Sequence, residues 1–173
     1  MSSPRSLKVR AFDEADRDAV VALAPRLSIG VAHWRDPKAV VAAALEWVAE
    51  SMARAASEDG ALFVGEREGQ VVGFVSVSTR PHFTGELDAY IGELVVDARA
   101  ERTGVGAALV GQACQWAAEA GLRRISLETG AANDGARLFY SRLGFDEEDV
   151  RLSGALSAPR QHAPVPPARQ VLE

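Results

Sequence analysis

The densest chemical content of the chain lies in Glu93-Leu94-Val95-Val96-Asp97-Ala98-Arg99-Ala100-Glu101-Arg102-Thr103-Gly104-Val105-Gly106-Ala107. An apolar strand pattern runs into a turn, and a Gly-x-Gly pair opens a helical pattern. Glycines let the backbone approach an anion closely. The free N–H groups of a first helical turn then point at it, with the helix dipole behind them. In chemical terms this is a diphosphate cradle. It is not the nucleoside-triphosphate loop, because no Lys-Ser/Thr follows the second glycine. It is not the dinucleotide fingerprint either, since Leu109 stands where a third glycine belongs and the segment follows a hairpin. On the glycine pair alone, an ordinary tight strand-to-helix turn explains the pattern equally well.

Other reactive side chains are scattered. Glu93 is the only charged residue in Ala89–Val96, and a carboxylate inside a strand is costly unless it is paired or used. By alternation it projects opposite to Leu94, on the side of Ile91 and Val95. Glu128 shares a strand face with Ser126. Tyr140, read alone, is an aromatic at the edge of the core. His33, His82 and His162 sit in loop or tail sequence and no pair has metal spacing, so no metal is expected. Cys114 lies on an amphipathic helical pattern and reads as a small core residue. Asp146-Glu147-Glu148-Asp149 reads as a solvated loop, or as a lure for a cationic acceptor.

These groups need elements to hold them. Leu7–Phe12 reads as a strand and Asp13–Ala24 as a helix with acids in its first turn. Asp36 followed by Pro37 is a helix start, and the helix runs to about Ala56. Ala61–Glu66 and Gln70–Ser78 form a hairpin. Ala89–Val96 is a strand, Val105–Ala120 a helix closed by Gly121, Arg124–Thr129 a strand, Asn133–Leu143 a helix closed by Gly144, and Val150–Leu152 has strand character. The order is β-α-α-β-β-β-α-β-α-β. The crossover from Ala89 to Thr129 demands a parallel pair. The fold class is therefore α/β, a mixed sheet with helices on its faces.

The chain has 173 residues, 47% hydrophobic and 25% charged. That suits one domain over 1–156, followed by a Pro-rich tail over 157–173. With 19 Lys+Arg against 24 Asp+Glu the net charge is −5, which argues against a nucleic-acid or anionic-membrane partner. The longest apolar stretch, Ala39–Ala49, is interrupted by Glu46 and too short to span a bilayer. A single cysteine forms no intrachain disulfide, and the start MSSPRSLKVRAF has no apolar leader pattern, so the cytoplasm is the expected compartment. A homodimer, with the tail packed on its own domain or across the dimer, is the expected assembly.

The segment Asn133-Asp134-Gly135-Ala136-Arg137-Leu138-Phe139-Tyr140-Ser141-Arg142-Leu143-Gly144-Phe145 resembles the N-x-x-A-x-x-x-Y-x-x-x-G-F segment of GNAT-type N-acetyltransferases. The segment before it resembles that family's acetyl-CoA loop, R/Q-x-x-G-x-G/A, preceded by its L-x-V strand. The two motifs stand in the family's order and at its separation, and the resemblance covers roughly Leu7–Leu152. It implies a GNAT-type fold: a mixed, mostly antiparallel sheet with a central parallel pair that splays, and helices on both faces. It implies acetyl-CoA as cosubstrate and an amine as acceptor. The pantetheine arm would lie beside Leu94, Val95 and Val96; Arg102, Thr103, Gly104, Val105, Gly106 and Ala107 would hold the diphosphate; Asn133 would contact the cofactor arm; Tyr140 would protonate the leaving thiolate.

Acetyl transfer to an amine meets a protonation problem. With an ammonium pKa of about 10.4, only about one molecule in two thousand is free amine near pH 7. Glu93 is the first candidate for a general base, directly or through water, and Glu128 is its rival, five residues before Asn133, where some members of the family place their base. His33-Trp34 and Pro81-His82-Phe83 would line the acceptor mouth. One position departs from the family pattern: Glu101 replaces the loop's first Arg or Gln, with Arg99, Arg102 and Arg137 available to offset its charge. The expected reaction is direct attack by a primary amine of a small molecule, polyamine- or aminoglycoside-like. A peptide amino group as acceptor, and a non-catalytic acyl-CoA sensor, are the alternatives.

Overall fold

The computed structural model describes residues 6–55 and 57–156. The tail, with His162, lies outside the described residues. Five strands form one sheet: β1 (Lys8–Ala11), β2 (Gly60–Arg67), β3 (Gln70–Pro81), β4 (Leu87–Val96) and β5 (Ile125–Leu127), side by side in chain order. The first four are antiparallel neighbours and β5 runs parallel to β4, as the helical crossover between them requires. Helices α1 (Arg17–Leu23) and α2 (Pro37–Arg54) cover one face; α3 (Val105–Glu119) covers the other, with α4 (Asp134–Arg142) beside it.

Local chemistry sets these boundaries. The β2–β3 turn places Glu68 (φ 51°) and Gly69 (φ 76°) in the left-handed region, the twist-matched form for a two-residue hairpin. Asp36 caps α2 by accepting the N–H groups of Lys38 (3.3 Å) and Ala39 (3.2 Å), with Pro37 in the first turn. Asn133 caps α4 by accepting the Ala136 N–H at 3.1 Å. Arg10 of β1 forks onto Asp16 (2.6 and 2.8 Å) and also holds Glu66 (2.8 Å), which keeps the buried Asp16 carboxyl below its ordinary pKa. The core has two halves. Val20, Val48, Leu62, Val64, Phe74 and Val95 lie under α1 and α2; Val75, Val77, Ala89, Ile91, Val105 and Leu109 lie under α3. Each fully buried large side chain contributes about 1.5–3 kcal/mol.

Two expectations need correction. Val150–Leu152 forms no strand; residues 145–156 carry no regular structure, and Val150 and Leu152 are 74% and 88% exposed. The three-residue alternation follows four consecutive carboxylates, and no neighbouring strand repays its backbone. Among the described residues β5 is therefore the sheet's edge. The second correction concerns the face of Glu93. In the β3–β4 register Val75 pairs Leu94 but Val77 pairs Ile91, so Gly92 and Glu93 together oppose Ser76. This β-bulge breaks the alternation. Ile91 faces α3 whereas Glu93 faces α2 with Val95.

Candidate active site

The bulge depends on Gly92, where a Cβ would stand 2.8 Å from the Ser76 hydroxyl. It turns Glu93 into a pocket of hydroxyls. Glu93 is 6% exposed. One of its oxygens, Oε2, accepts from Ser51 of α2 (2.7 Å) and from Ser76 of β3, while the Glu93 N–H donates to Ser76 Oγ (3.0 Å). Oε1 makes no hydrogen bond among the described residues. Burial raises the Glu93 pKa, and the two hydroxyls partly oppose that rise. A carboxylate with a raised pKa and one free oxygen is equipped to take a proton.

The same bulge marks where β4 leaves β5. Their pairing covers only Ala89 to Ile91 on β4 and Ile125 to Leu127 on β5. From Gly92 to Val96 the β4 edge away from β3 has no strand partner among the described residues, so that edge is open beside Leu94, Val95 and Val96. The Val96 carbonyl, however, is already taken by Arg26 Nε at 2.8 Å. The connection from α1 to α2 that carries Arg26 reaches the loop after β5, where Asn133 Nδ2 donates to the Ile29 carbonyl (3.4 Å) and Gly30 packs on Gly130. It therefore bridges from β4 to the far side of the gap. Asn133 spends its side chain on this bridge and on the α4 cap.

The cradle has an open anion face. Gly104 caps α3 with φ +89°, no side chain caps that end, and its first turn holds no acid. A Cβ on Gly104 would meet nothing within 4 Å, so the space in front of Thr103, Gly104, Val105 and Ala107 suits an incoming diphosphate. Gly106 serves a different purpose: Phe139 of α4 packs where its side chain would be, at 3.2 Å from a Cβ. Arg102 (φ 56°) is exposed with its guanidinium unpaired among the described residues. Arg67, at the end of β2, clamps the loop by donating to Thr103 Oγ1 and to the Thr103 carbonyl, both at 2.9 Å, and its buried Nε has no partner.

Glu101 is neutralised, but not by the arginines expected. Arg26 pairs with it, while Arg99 is held by Asp97 (2.9 Å) and Arg137 by Glu147. The Arg26 guanidinium thus joins Glu101, Val96 and the bridge in one contact set. Two members of the acidic run are likewise engaged: Glu147 with Arg137, and Glu148 facing His82 Nε2 at 3.9 Å.

Tyr140 lies on the α3 side of the sheet, between Phe139 and Phe145 at ring-centroid separations of 5.1 and 5.6 Å. Its hydroxyl bonds no described residue, and burial pushes its pKa up to about 12, so the phenol keeps its proton at neutral pH. Glu128 is not gathered into this arrangement. It follows β5, is 71% exposed at its side chain, and pairs with Arg80 at 3.2 Å. Arg80 in turn lies 4.4 Å over the ring of Tyr90, a residue on β4 that sequence reading passed over. Cys114 packs against the α3-side core, as expected. Ser51, Ser76, Arg26 and Arg67 were also missed, because each acts across a long sequence separation without a local motif.

β4 thus carries a buried carboxylate where its parallel neighbour ends, and an open helix start follows it in the chain. The model of the acetyltransferase (GNAT) family matches residues 29–145. The chain belongs to the GNAT family, whose members are acetyl-CoA-dependent acetyltransferases. It is 39% identical over 95 residues to the uncharacterized N-acetyltransferase MJ1207 of Methanocaldococcus jannaschii, covering 54% of this chain and 42% of that protein. It is 30% identical over 139 residues to the mycothiol acetyltransferase of Amycolatopsis mediterranei, covering 78% and 44%. The chain thus spans less than half the length of these two relatives. A GCN5-related N-acetyltransferase from Ralstonia eutropha JMP134 shares the fold, with a TM-score of 0.69 at 19% identity over 88% of this chain and all of that one.

Proposed function

We propose that this chain transfers an acetyl group from acetyl-CoA to a primary amine of a small molecule by direct attack in a ternary complex. The observation that carries this is the coincidence at one bulge of a buried, hydroxyl-held Glu93 and the parting of β4 from β5. Acetyl-CoA supplies an activated acyl carbon. The open amides from Thr103 to Ala107 and the Arg67 clamp fit its diphosphate, and the unpaired β4 edge fits its amide-bearing arm as another strand would. A free β4 N–H polarises the acyl carbonyl.

Glu93 takes a proton from the acceptor ammonium on the α2 side, through Oε1 or a water. That removes part of a handicap of about 4–5 kcal/mol. Tyr140 gives its phenolic proton to the departing thiolate from the α3 side. Base and acid approach the gap from opposite faces of the sheet, so neither quenches the other. No helix among the described residues is long and apolar enough to cross a membrane, and a cytoplasmic setting supplies the cosubstrate.

The test is a steady-state assay of CoA release over a panel of small amines and amino-terminal peptides, beside calorimetry with acetyl-CoA. Amine-dependent release is expected. Tight acetyl-CoA binding with no release for any acceptor would make the chain a sensor module instead, and release with peptides alone would move the acceptor to proteins.

A further inference from the structure

The stripe of α2 that presents Ser51 to Glu93 continues away from it through Trp47, Ala43 and Val40, at helical spacings of three and four. Val31 and Trp34, in the connection before α2, flank that stripe. Together they line a cavity of about 470 Å³, within the range of small-ligand sites. Trp34 and Trp47 are 61% and 50% exposed, a large outlay of unburied indole for a monomer surface. Trp34 is steadied by an edge contact with His33 at 4.9 Å.

The polar groups of this cavity decide what enters it. Its charged lining consists of Arg35 and Asp36. Asp36 accepts the cap N–H groups of Lys38 and Ala39 and keeps its charge, which the Arg35 guanidinium beside it balances. The lining is thus neutral overall and offers no excess of negative charge to a second or third ammonium. Two indole faces do receive a flat apolar body. The geometry points to an acceptor that is a monoamine with an aromatic or alicyclic body, lodged at Trp34 and Trp47 with its one amino group reaching Glu93. From Trp47 to Ser51 is one helical step of about 6 Å, so a linker of a few bonds separates ring from nitrogen. This rests on the acetyl-transfer reading and narrows it: the polycationic acceptors that the acidic run 146–149 invited are disfavoured.

The experiment follows CoA release with phenethylamine, spermidine and kanamycin as acceptors, in the wild type and in Trp34→Ala and Trp47→Ala. Phenethylamine is expected to exceed both polycations in kcat/KM. Each substitution is expected to raise its KM about tenfold with the KM for acetyl-CoA unchanged. A preference for spermidine or kanamycin, or an unmoved KM for phenethylamine in both variants, overturns the proposal. A second readout needs no turnover. Phenethylamine is expected to quench tryptophan fluorescence in the wild type and not in the doubly substituted Trp34→Phe, Trp47→Phe chain, which retains Trp116. Quenching without CoA release from any amine would sink the acetyl-transfer reading while upholding the cavity; release without quenching would do the reverse.

Discussion

Removing the Ser51 hydroxyl is expected to shift the acidic limb of the kcat–pH profile upward by about one pH unit. The Glu93 carboxylate is buried, which raises its pKa, and the Ser51 and Ser76 hydroxyls hold that rise in check. A hydrogen bond to an ionised group is worth about 1.5–3 kcal/mol, and about 1.4 kcal/mol corresponds to one pKa unit. Ser51 is half-buried, so water replaces part of the lost bond and the smaller end of the range applies. The sign is fixed by which form is active. The base works as the carboxylate, the lost donor had stabilised the carboxylate, and Ser51→Ala therefore needs a higher pH to reach the same ionised fraction. The measurement is kcat at saturating amine from acid to neutral pH for the wild type, Ser51→Ala and Glu93→Gln. Glu93→Gln is expected to lose about 10²–10⁴ in kcat and to have no acidic limb. An unmoved or lowered limb in Ser51→Ala, or a surviving limb in Glu93→Gln, refutes Glu93 as the base.

Three further outcomes follow from the same geometry. Because the folded-state pKa of Glu93 lies above its ordinary value of 4.5, the native state holds that proton more tightly than the unfolded chain, and this carboxyl costs stability as pH rises from 4.5 through the raised value. Glu93→Gln is accordingly expected to melt higher than the wild type at neutral pH, with the gap narrowing in acid, as thermal melts at several pH values would show. Tyr140→Phe keeps the ring between Phe139 and Phe145 and removes only the proton donor, so a fall of about 100-fold in kcat with acetyl-CoA affinity unchanged is expected; wild-type turnover would dismiss Tyr140 as the acid. Arg67→Ala releases Thr103, and calorimetry is expected to show about tenfold weaker acetyl-CoA binding with S-acetylpantetheine, which lacks the diphosphate, bound as before.

Much of the fold was legible because its signals are local. Asp36-Pro37, Asn133, Gly121 and Gly144 mark helix ends through interactions spanning a few residues, and the Glu68-Gly69 turn declares a hairpin in two. The parallel pair followed from chain connectivity alone. Val150–Leu152 misled for the complementary reason. A strand needs a partner, and alternation in three residues says nothing about whether an edge is available to them.

The site divides along the same line. The helix start at Gly104 was readable because a glycine-opened turn is a local object, although the two glycines turn out to differ: Gly104 leaves open space, and Gly106 makes room for Phe139. The surroundings of Glu93 were not readable. Its partners Ser51 and Ser76 lie 42 and 17 residues away, and the one local signal, an isolated glycine inside Ala-Tyr-Ile-Gly-Glu, marks a possible bulge without naming those partners. Counting alternation through Gly92 assigns Glu93 to the face of Ile91, under α3. The extra residue moves it to the face of α2, where the hydroxyls, the Trp34–Trp47 cavity and the mouth of the β4–β5 gap lie. One residue without a Cβ thus decides the face of the carboxylate, at the point where β4 loses its parallel neighbour. A variant that restored regular pairing there would remove the base and narrow the cosubstrate gap together, whatever it left of the fold.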